Sequence, residues 1–197
     1  MLEQVSVLRA AAAAAVMLAA ASGAWAADRT AAGAARPARA GGGDAAMIGG
    51  AEKAAPPAVS RKASIMAMNT NGSMRMLRKG TNGFTCMPDD PQTPGPDPMC
   101  ADANALAWIQ AMAARKPPPQ KAGFMYMLGG GTDASNTDPY ARRPTGGNHW
   151  IKTGPHVMIV GDRGLLAGYP ASPDPDTAAP YVMWAGTPYA HLMVPVK

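Results

Sequence analysis

Glycine and proline occur so often in this chain that only short regular elements fit between them. The 197 residues include 22 glycines and 20 prolines. The apolar segments between these residues are mostly four to six residues long, which is typical of β-strands rather than of helices. The sequence therefore predicts an α+β, β-rich fold, with an antiparallel or mixed sheet of short strands and one main helix.

Local signals place the elements of this fold. Asn71-Gly72 separates the first two apolar segments and is the strongest short hairpin signal, because both residue types tolerate positive φ. A helix is expected over residues 103–116, with Asp102 as its N-cap and three prolines ending it at residues 117–119. The expected strands lie at residues 64–69, 74–79, 123–128, 156–160, 165–169, 181–184 and 191–194.

The chain divides by composition into three parts. Residues 1–26 have the pattern of a secretory signal peptide, with Arg9, an alanine-rich apolar run and a small-residue site at residues 24–26. Residues 27–62 are rich in Ala, Gly and Pro and offer few large apolar side chains, so we expect a disordered spacer. Residues 63–197 then form a single β-rich globular domain. This organisation predicts a periplasmic or secreted protein without a transmembrane segment after signal cleavage.

The distribution of charge disfavours nucleic acid as a partner. The net charge is +5, but residues 63–197 hold eleven basic against nine acidic residues, and they contain no basic run of five or more. The spacer holds six basic against three acidic residues, which allows weak contact with anionic envelope surfaces. No specific partner follows from this pattern.

The two cysteines are expected to form a disulfide. Cys86 and Cys100 are the only cysteines of the chain, and an oxidising compartment favours their pairing. The bond would close a loop that contains five prolines. A redox role is disfavoured because the C-x-x-C spacing is absent.

Methionine is unusually frequent, and part of it recurs in pairs. Twelve of the fifteen methionines follow residue 63, and Met-x-Met occurs at residues 66–68, 74–76 and 125–127. Residues i and i+2 of a strand share a face, so the hairpin is expected to place four thioethers on one surface. Thioethers are soft ligands that select Cu(I). The alternative is that methionine fills an irregular core beside few aromatic residues. The candidate copper ligands are Met66, Met68, Met74, Met76, Met125, Met127 and His191.

A long polar loop follows the expected strand at residues 123–128. Its oxygen donors Asp133, Ser135 and Asp138 have the short spacing seen in calcium sites, but the closing glutamate of an EF-hand is missing. Turn formation explains the same residues and is the favoured interpretation. If the protein has a small-ligand site, we expect it between this loop and the later apolar segments. The candidate residues are Asp133, Asn136, Asp138, His149, His156 and Trp184.

Several longer stretches together resemble a group of uncharacterised secreted bacterial proteins. The resemblance covers most of residues 63–197 and implies no activity, ligand or site residue. The stretches that carry it are residues 83–88, 97–100, 129–140, 153–161 and 173–195.

The function expected from these patterns is that of a non-enzymatic binding or envelope-associated module, without assigned catalytic residues or cofactor. A copper-binding protein is the first alternative. A hydrolase that combines a histidine with Asp133 or Asp138 is the second. The sequence contains no G-x-S-x-G, H-E-x-x-H or glycine-rich phosphate-binding motif that would favour a known enzyme class.

Overall fold

Short strands supply most of the regular structure in residues 42–196, which are the residues that the computed structural model describes. The strands are β1 (Ser64–Met68), β2 (Met74–Arg78), β3 (Thr85–Met87), β4 (Met99–Ala101), β5 (Gly123–Met127), β6 (Ala134–Ser135), β7 (Trp150–Ile151), β8 (His156–Val160), β9 (Tyr181–Met183) and β10 (His191–Pro195). The helices are α1 (Gly42–Glu52), α2 (Pro57–Ser60) and α3 (Ala103–Ala113), and a 3-10 turn covers Arg163–Leu166.

Eight strands form one mixed sheet in the order β2-β1-β3-β4-β5-β8-β10-β9, and β6 pairs with β7 separately. β1 and β3 are parallel, whereas the other neighbours are antiparallel. The predicted β-rich α+β fold is confirmed.

The hairpin predicted at Asn71-Gly72 is present between β1 and β2. Gly72 has a φ of 81°, and the Asn71 side chain accepts a hydrogen bond from the Ser73 backbone N–H at 3.0 Å. Met66 lies opposite Met76, and Met68 lies opposite Met74. The strand predicted at residues 165–169 is wrong, because Asp162 accepts from the Gly164 N–H and starts the 3-10 turn instead.

The spacer predicted over residues 27–62 does not extend through its second half, because residues 42–62 contain α1 and α2. Ala51 and Ala54 are fully buried against Ile65, Cys86 and Cys100. Small side chains let a helix approach the sheet closely, so the alanine methyl groups of this segment fill the core between α1 and the sheet. The prediction of a spacer assumed that only large apolar side chains could form such a core. Two ion pairs join α1 to β2, Arg75–Asp44 and Arg78–Glu52. Residues 27–41 and the predicted signal peptide lie outside the described residues.

The expectation of one main helix is also incomplete, since α1 and α3 both have 11 residues. Residues 42–196 belong to one compact unit, so the folded region begins before residue 63.

α3 begins where the sequence predicts and ends three residues early. Asp102 caps it by accepting from the Ala105 N–H at 2.8 Å, and its other carboxylate oxygen accepts from the Phe124 N–H of β5 at 3.0 Å. Gly123 permits the close approach of α3 to β5, because a Cβ there would lie 2.4 Å from the Ala105 nitrogen. Arg115, with a φ of 54°, ends the helix before the prolines do.

Replacing Asp102 with alanine is expected to lower the free energy of unfolding by about 1–2 kcal/mol, because the change removes the cap and leaves two backbone N–H groups without their partner. Urea denaturation measures this loss. Asp176→Ala is the matched control, since among the described residues the Asp176 side chain accepts only from the exposed Ala178 N–H. Equal losses in the two variants would contradict the assigned role of Asp102.

The disulfide is confirmed. Cys86 of β3 lies directly opposite Cys100 of β4, both are fully buried, and their sulfur atoms are bonded. The bond holds the ends of the proline-rich loop together at the centre of the cluster beneath α1.

The strand register places the methionines of the strands on one face of the main sheet, which we call the methionine face. Residues paired across neighbouring strands share a face, and residues i and i+2 do too. α3 covers the middle of this face through Ala101, Met125 and Val160, whereas α1 covers the opposite face. The eleven methionines concerned are Met66, Met68, Met74, Met76, Met87, Met99, Met125, Met127, Met158, Met183 and Met193.

Candidate functional site

The β1–β2 hairpin has one packed side and one open side. On the packed side Ala67 is buried and Arg75 pairs with Asp44 of α1. The open side is part of the methionine face, and its two register pairs, Met66–Met76 and Met68–Met74, consist only of methionine. We call its four side chains, Met66, Met68, Met74 and Met76, the thioether surface.

Packing does not explain the thioether surface. Met68, Met74 and Met76 are 47%, 44% and 57% exposed, and Met66 is half-buried. Solvent-facing positions of an edge strand such as β2 usually carry polar or charged residues, which prevent association with other chains. The core-filling interpretation fits the buried methionines Met125 and Met193, but it does not account for the exposed ones.

The geometry of the thioether surface suits a single soft ion. Directly opposite residues of an antiparallel pair have Cβ atoms about 4.5–5.5 Å apart, and residues i and i+2 lie about 7 Å apart. Each methionine side chain has three rotatable bonds, so its sulfur can move several ångströms from the strand axis. Four thioethers within this area can therefore converge on one ion.

Harder metals find no comparable site in the described part of the chain. Within residues 42–196, no three or more His, Cys, Asp or Glu side chains are grouped so that they could hold a metal ion. The thioether surface itself contains no oxygen or nitrogen donor from a side chain, and methionine sulfur favours Cu(I) over Mg²⁺, Ca²⁺ or Zn²⁺.

The structure separates the other candidate copper ligands from the thioether surface. Met125 and Met127 lie on the methionine face but are buried. His191 is fully buried, with its ring edge-on to Trp108 and Trp184, and its strand β10 is separated from β1 by four strands. Sequence reasoning missed Met87 and Met99, which lie opposite each other beside β1 and are half-buried. Neither residue has another methionine two positions away, so the Met-x-Met pattern did not reveal them.

The structure brings three predicted ligand-binding residues together, and most of their polar groups bind the protein itself; the Asn136 Oδ1 atom is buried without a hydrogen-bond partner among the described residues. The Asn136 side-chain amide donates to the carbonyls of Ser172 and Pro173 at 2.9 and 3.0 Å. Its backbone N–H donates to the His149 carbonyl, and its carbonyl accepts from the Trp184 N–H. The Trp184 indole N–H donates to the Ser135 carbonyl at 2.8 Å. These contacts hold the loop to the rest of the domain.

The two aspartates of this loop differ in exposure. Asp138 is exposed and accepts from the Tyr140 N–H at 2.8 Å, which is the turn interaction expected of aspartate. Asp133 is half-buried just before β6. A shallow depression of the surface, which Tyr140, Arg142 and Arg143 also line, contains only Asp138 among the predicted ligand-binding residues.

His149 pairs with an aspartate other than the two predicted ones. Its Nδ1 lies 2.9 Å from an Asp174 carboxylate oxygen, and the Asp174 side chain is largely exposed. His149 and Trp184 both have left-handed backbones, with φ values of 44° and 55°, which are strained for such residues. No serine, threonine or cysteine side chain of residues 42–196 hydrogen-bonds to His149, so the described pair lacks the nucleophile that a triad hydrolase requires.

His156 lies apart from this loop cluster and lines a cavity of about 240 Å³ together with Tyr181, Met193 and Thr177. Its Nδ1 donates to the Gly154 carbonyl at 2.7 Å, which leaves the lone pair of Nε2 free. Burial lowers the pKa of His156, so the ring is neutral at neutral pH. The Tyr181 hydroxyl is buried without a hydrogen-bond partner among the described residues, and burial raises its pKa.

Comparisons of the chain with family models, with curated proteins and with solved structures give no match. The class of protein is therefore described from the structure alone: a β-rich α+β domain whose edge hairpin, β1–β2, carries methionines on its open side. Among residues 42–196, no helix has the length and apolar character needed to cross a membrane.

Proposed function

We propose that this protein is an extracytoplasmic, non-enzymatic binding protein and that its ligand is Cu(I), held by the thioether surface. One observation supports the proposal above the others. On the open side of the β1–β2 hairpin, both pairs of opposite residues consist of two methionines, and three of these four side chains are exposed. A soft ligand set without carboxylates suits a soft monovalent ion.

The fold supports an extracytoplasmic location. A buried disulfide joins β3 and β4, and stable disulfides of mesophilic proteins belong mainly to oxidising compartments. The predicted signal peptide points the same way. In such a compartment a thioether has an advantage over a thiol as a Cu(I) ligand, because it cannot form disulfides.

An anaerobic Cu(I) titration against a chromophoric chelator tests the proposal. The variant M66L/M68L/M74L/M76L retains the apolar volume of the surface and removes its sulfur atoms. We expect it to lose about one equivalent of bound Cu(I) relative to the wild type, with a wild-type Kd below about 1 μM at that site.

Met47→Leu is the matched control, because Met47 is an exposed methionine of α1 on the opposite side of the sheet. It should bind as the wild type does. Equal Cu(I) binding by the wild type and the fourfold leucine variant would contradict the proposal. A third outcome is that neither the wild type nor the fourfold leucine variant binds Cu(I), but both bind an apolar peptide with the same affinity. This outcome would replace the Cu(I) proposal with a protein-docking role.

A further inference from the structure

We propose that the methionine face holds a second Cu(I) site in the interior, at His156, and that a row of methionines connects it to the thioether surface. The inference rests on the proposed function, since it assumes the same metal. It assigns a separate site, with its own ligands, to residues that the surface site does not use.

The row follows from the register at one level of the sheet. Met66 lies opposite Met76, Met87 opposite Met99, and Met127 opposite His156. Two contacts of the row lie one residue beyond the last paired residues of their strands. Cys100 pairs with Tyr126, so Met99 adjoins Met127. Ile65 pairs with Cys86, and Met66 follows it at a β-bulge between Ile65 and Met66, on the side of Met87. The row crosses six adjacent strands in the order Met76, Met66, Met87, Met99, Met127, His156.

Exposure falls along this row from the edge of the sheet to its interior. Met76 is 57% exposed, the next three methionines are half-buried, and Met127 and His156 are 5% and 4% exposed. Neighbouring strands lie about 4.7–4.9 Å apart, so each flexible thioether can reach the donor on the next strand. A soft ion can pass inward without losing all of its sulfur ligands at any step.

The inner end of the row has the donor types of a soft-metal site. The hydrogen bond from His156 Nδ1 to the Gly154 carbonyl fixes the ring and aims the free Nε2 elsewhere, as in many metal-binding histidines. Met127 lies directly opposite His156, Met158 lies two residues further along the same face of β8, and Met193 lines the same cavity. One imidazole and up to three thioethers are therefore available to one ion.

The surroundings favour a monovalent over a divalent ion. None of the residues that line the cavity at His156 carries a formal charge at neutral pH. His191, also on the methionine face, is buried and neutral. Burying a divalent ion without a compensating carboxylate costs far more than burying a monovalent one, because the desolvation penalty rises steeply with charge.

Two variants remove the inner site without removing the hairpin. In His156→Asn the side-chain amide can still donate to the Gly154 carbonyl, but the Nε2 lone pair is lost. The double variant M127L/M193L retains volume and removes two thioethers, which tests the site even if His156→Asn folds poorly. Met112→Leu, on α3, is the matched control. Bound Cu(I) is counted anaerobically, and the imidazole ¹⁵N signals of His156 are followed by NMR.

We expect about two equivalents of Cu(I) in the wild type and in Met112→Leu, and about one in His156→Asn and in M127L/M193L. In M66L/M68L/M74L/M76L the His156 signal should still shift, but its loading should slow by about tenfold or more. One wild-type equivalent with an unmoved His156 signal would overturn the inner site and leave the proposed function intact. Equally fast loading in the fourfold variant would overturn the role of the row. No Cu(I) binding at all would remove both proposals.

Discussion

Replacing Trp108 with alanine is expected to lower the free energy of unfolding by about 3–5 kcal/mol, the largest effect of a single substitution that the fold predicts. Trp108 of α3 is 2% exposed. Its ring is parallel to that of Trp184 at a centroid distance of 6.1 Å, and it meets the rings of Tyr189 and His191 edge-on. The substitution therefore leaves a cavity between α3, β10 and the turn after β9.

Urea denaturation, followed by far-UV circular dichroism, measures this loss. Trp150→Ala is the matched control, because Trp150 is half-buried in the small β6–β7 sheet. We expect the control to lose less than half as much. The Trp108 indole N–H has no hydrogen-bond partner among the described residues, so the loss is one of packing. A loss below about 1 kcal/mol for Trp108→Ala would show that α3 does not close the core as described.

The second large effect is acid destabilisation through His191. Burial lowers the pKa of this fully buried imidazole to about 4; the Tyr189 carbonyl opposes the shift and His156 adds to it. The usual pKa of histidine is about 6.5, so the unfolded state takes up the proton first as pH falls. The contribution of the neutral His191 to the free energy of unfolding is complete above a pH of about 6.5, the pKa of the unfolded state. It decreases by about 3 kcal/mol as pH falls from about 6.5 to about 4.

The contribution of His191 is isolated by comparison with His191→Asn, in which the side-chain amide can still donate to the Tyr189 carbonyl but does not titrate. The free energy of unfolding is measured against pH for both proteins. The buried His156 and the carboxylates titrate in both, so the difference between the two curves belongs to His191. The curves should converge toward low pH as the wild type loses its advantage. Parallel curves would show that His191 is not buried as a neutral ring.

The elements that the sequence predicts well are those specified by neighbouring residues. Asn71-Gly72 specifies the hairpin turn, and Asp102 specifies the start of α3 through a bond to a backbone N–H three residues on. The period of two in the strands is enough to place Met66 and Met68 on one face. For these features the local energetics agree with the final fold.

The features that escape prediction depend on contacts between distant segments. α1 is stabilised by burial of alanines against β1 and β3, which composition alone does not reveal. Asn136 has the residue type of a ligand contact, but its amide is taken by carbonyls 36 and 37 residues away. The strand order brings Met127 beside His156, although 28 residues without any regular pairing signal separate them. Only the topology reveals the methionine row.

Methyl-¹³C methionine NMR during an anaerobic Cu(I) titration is the most direct test of the central claim, that the thioether surface binds the metal. We predict that the methyl signals of Met66, Met68, Met74 and Met76 shift as Cu(I) binds, whereas those of Met47 and Met112 stay in place. Bound Cu(I) with unmoved signals from the four hairpin methionines, or no bound Cu(I), would contradict the claim.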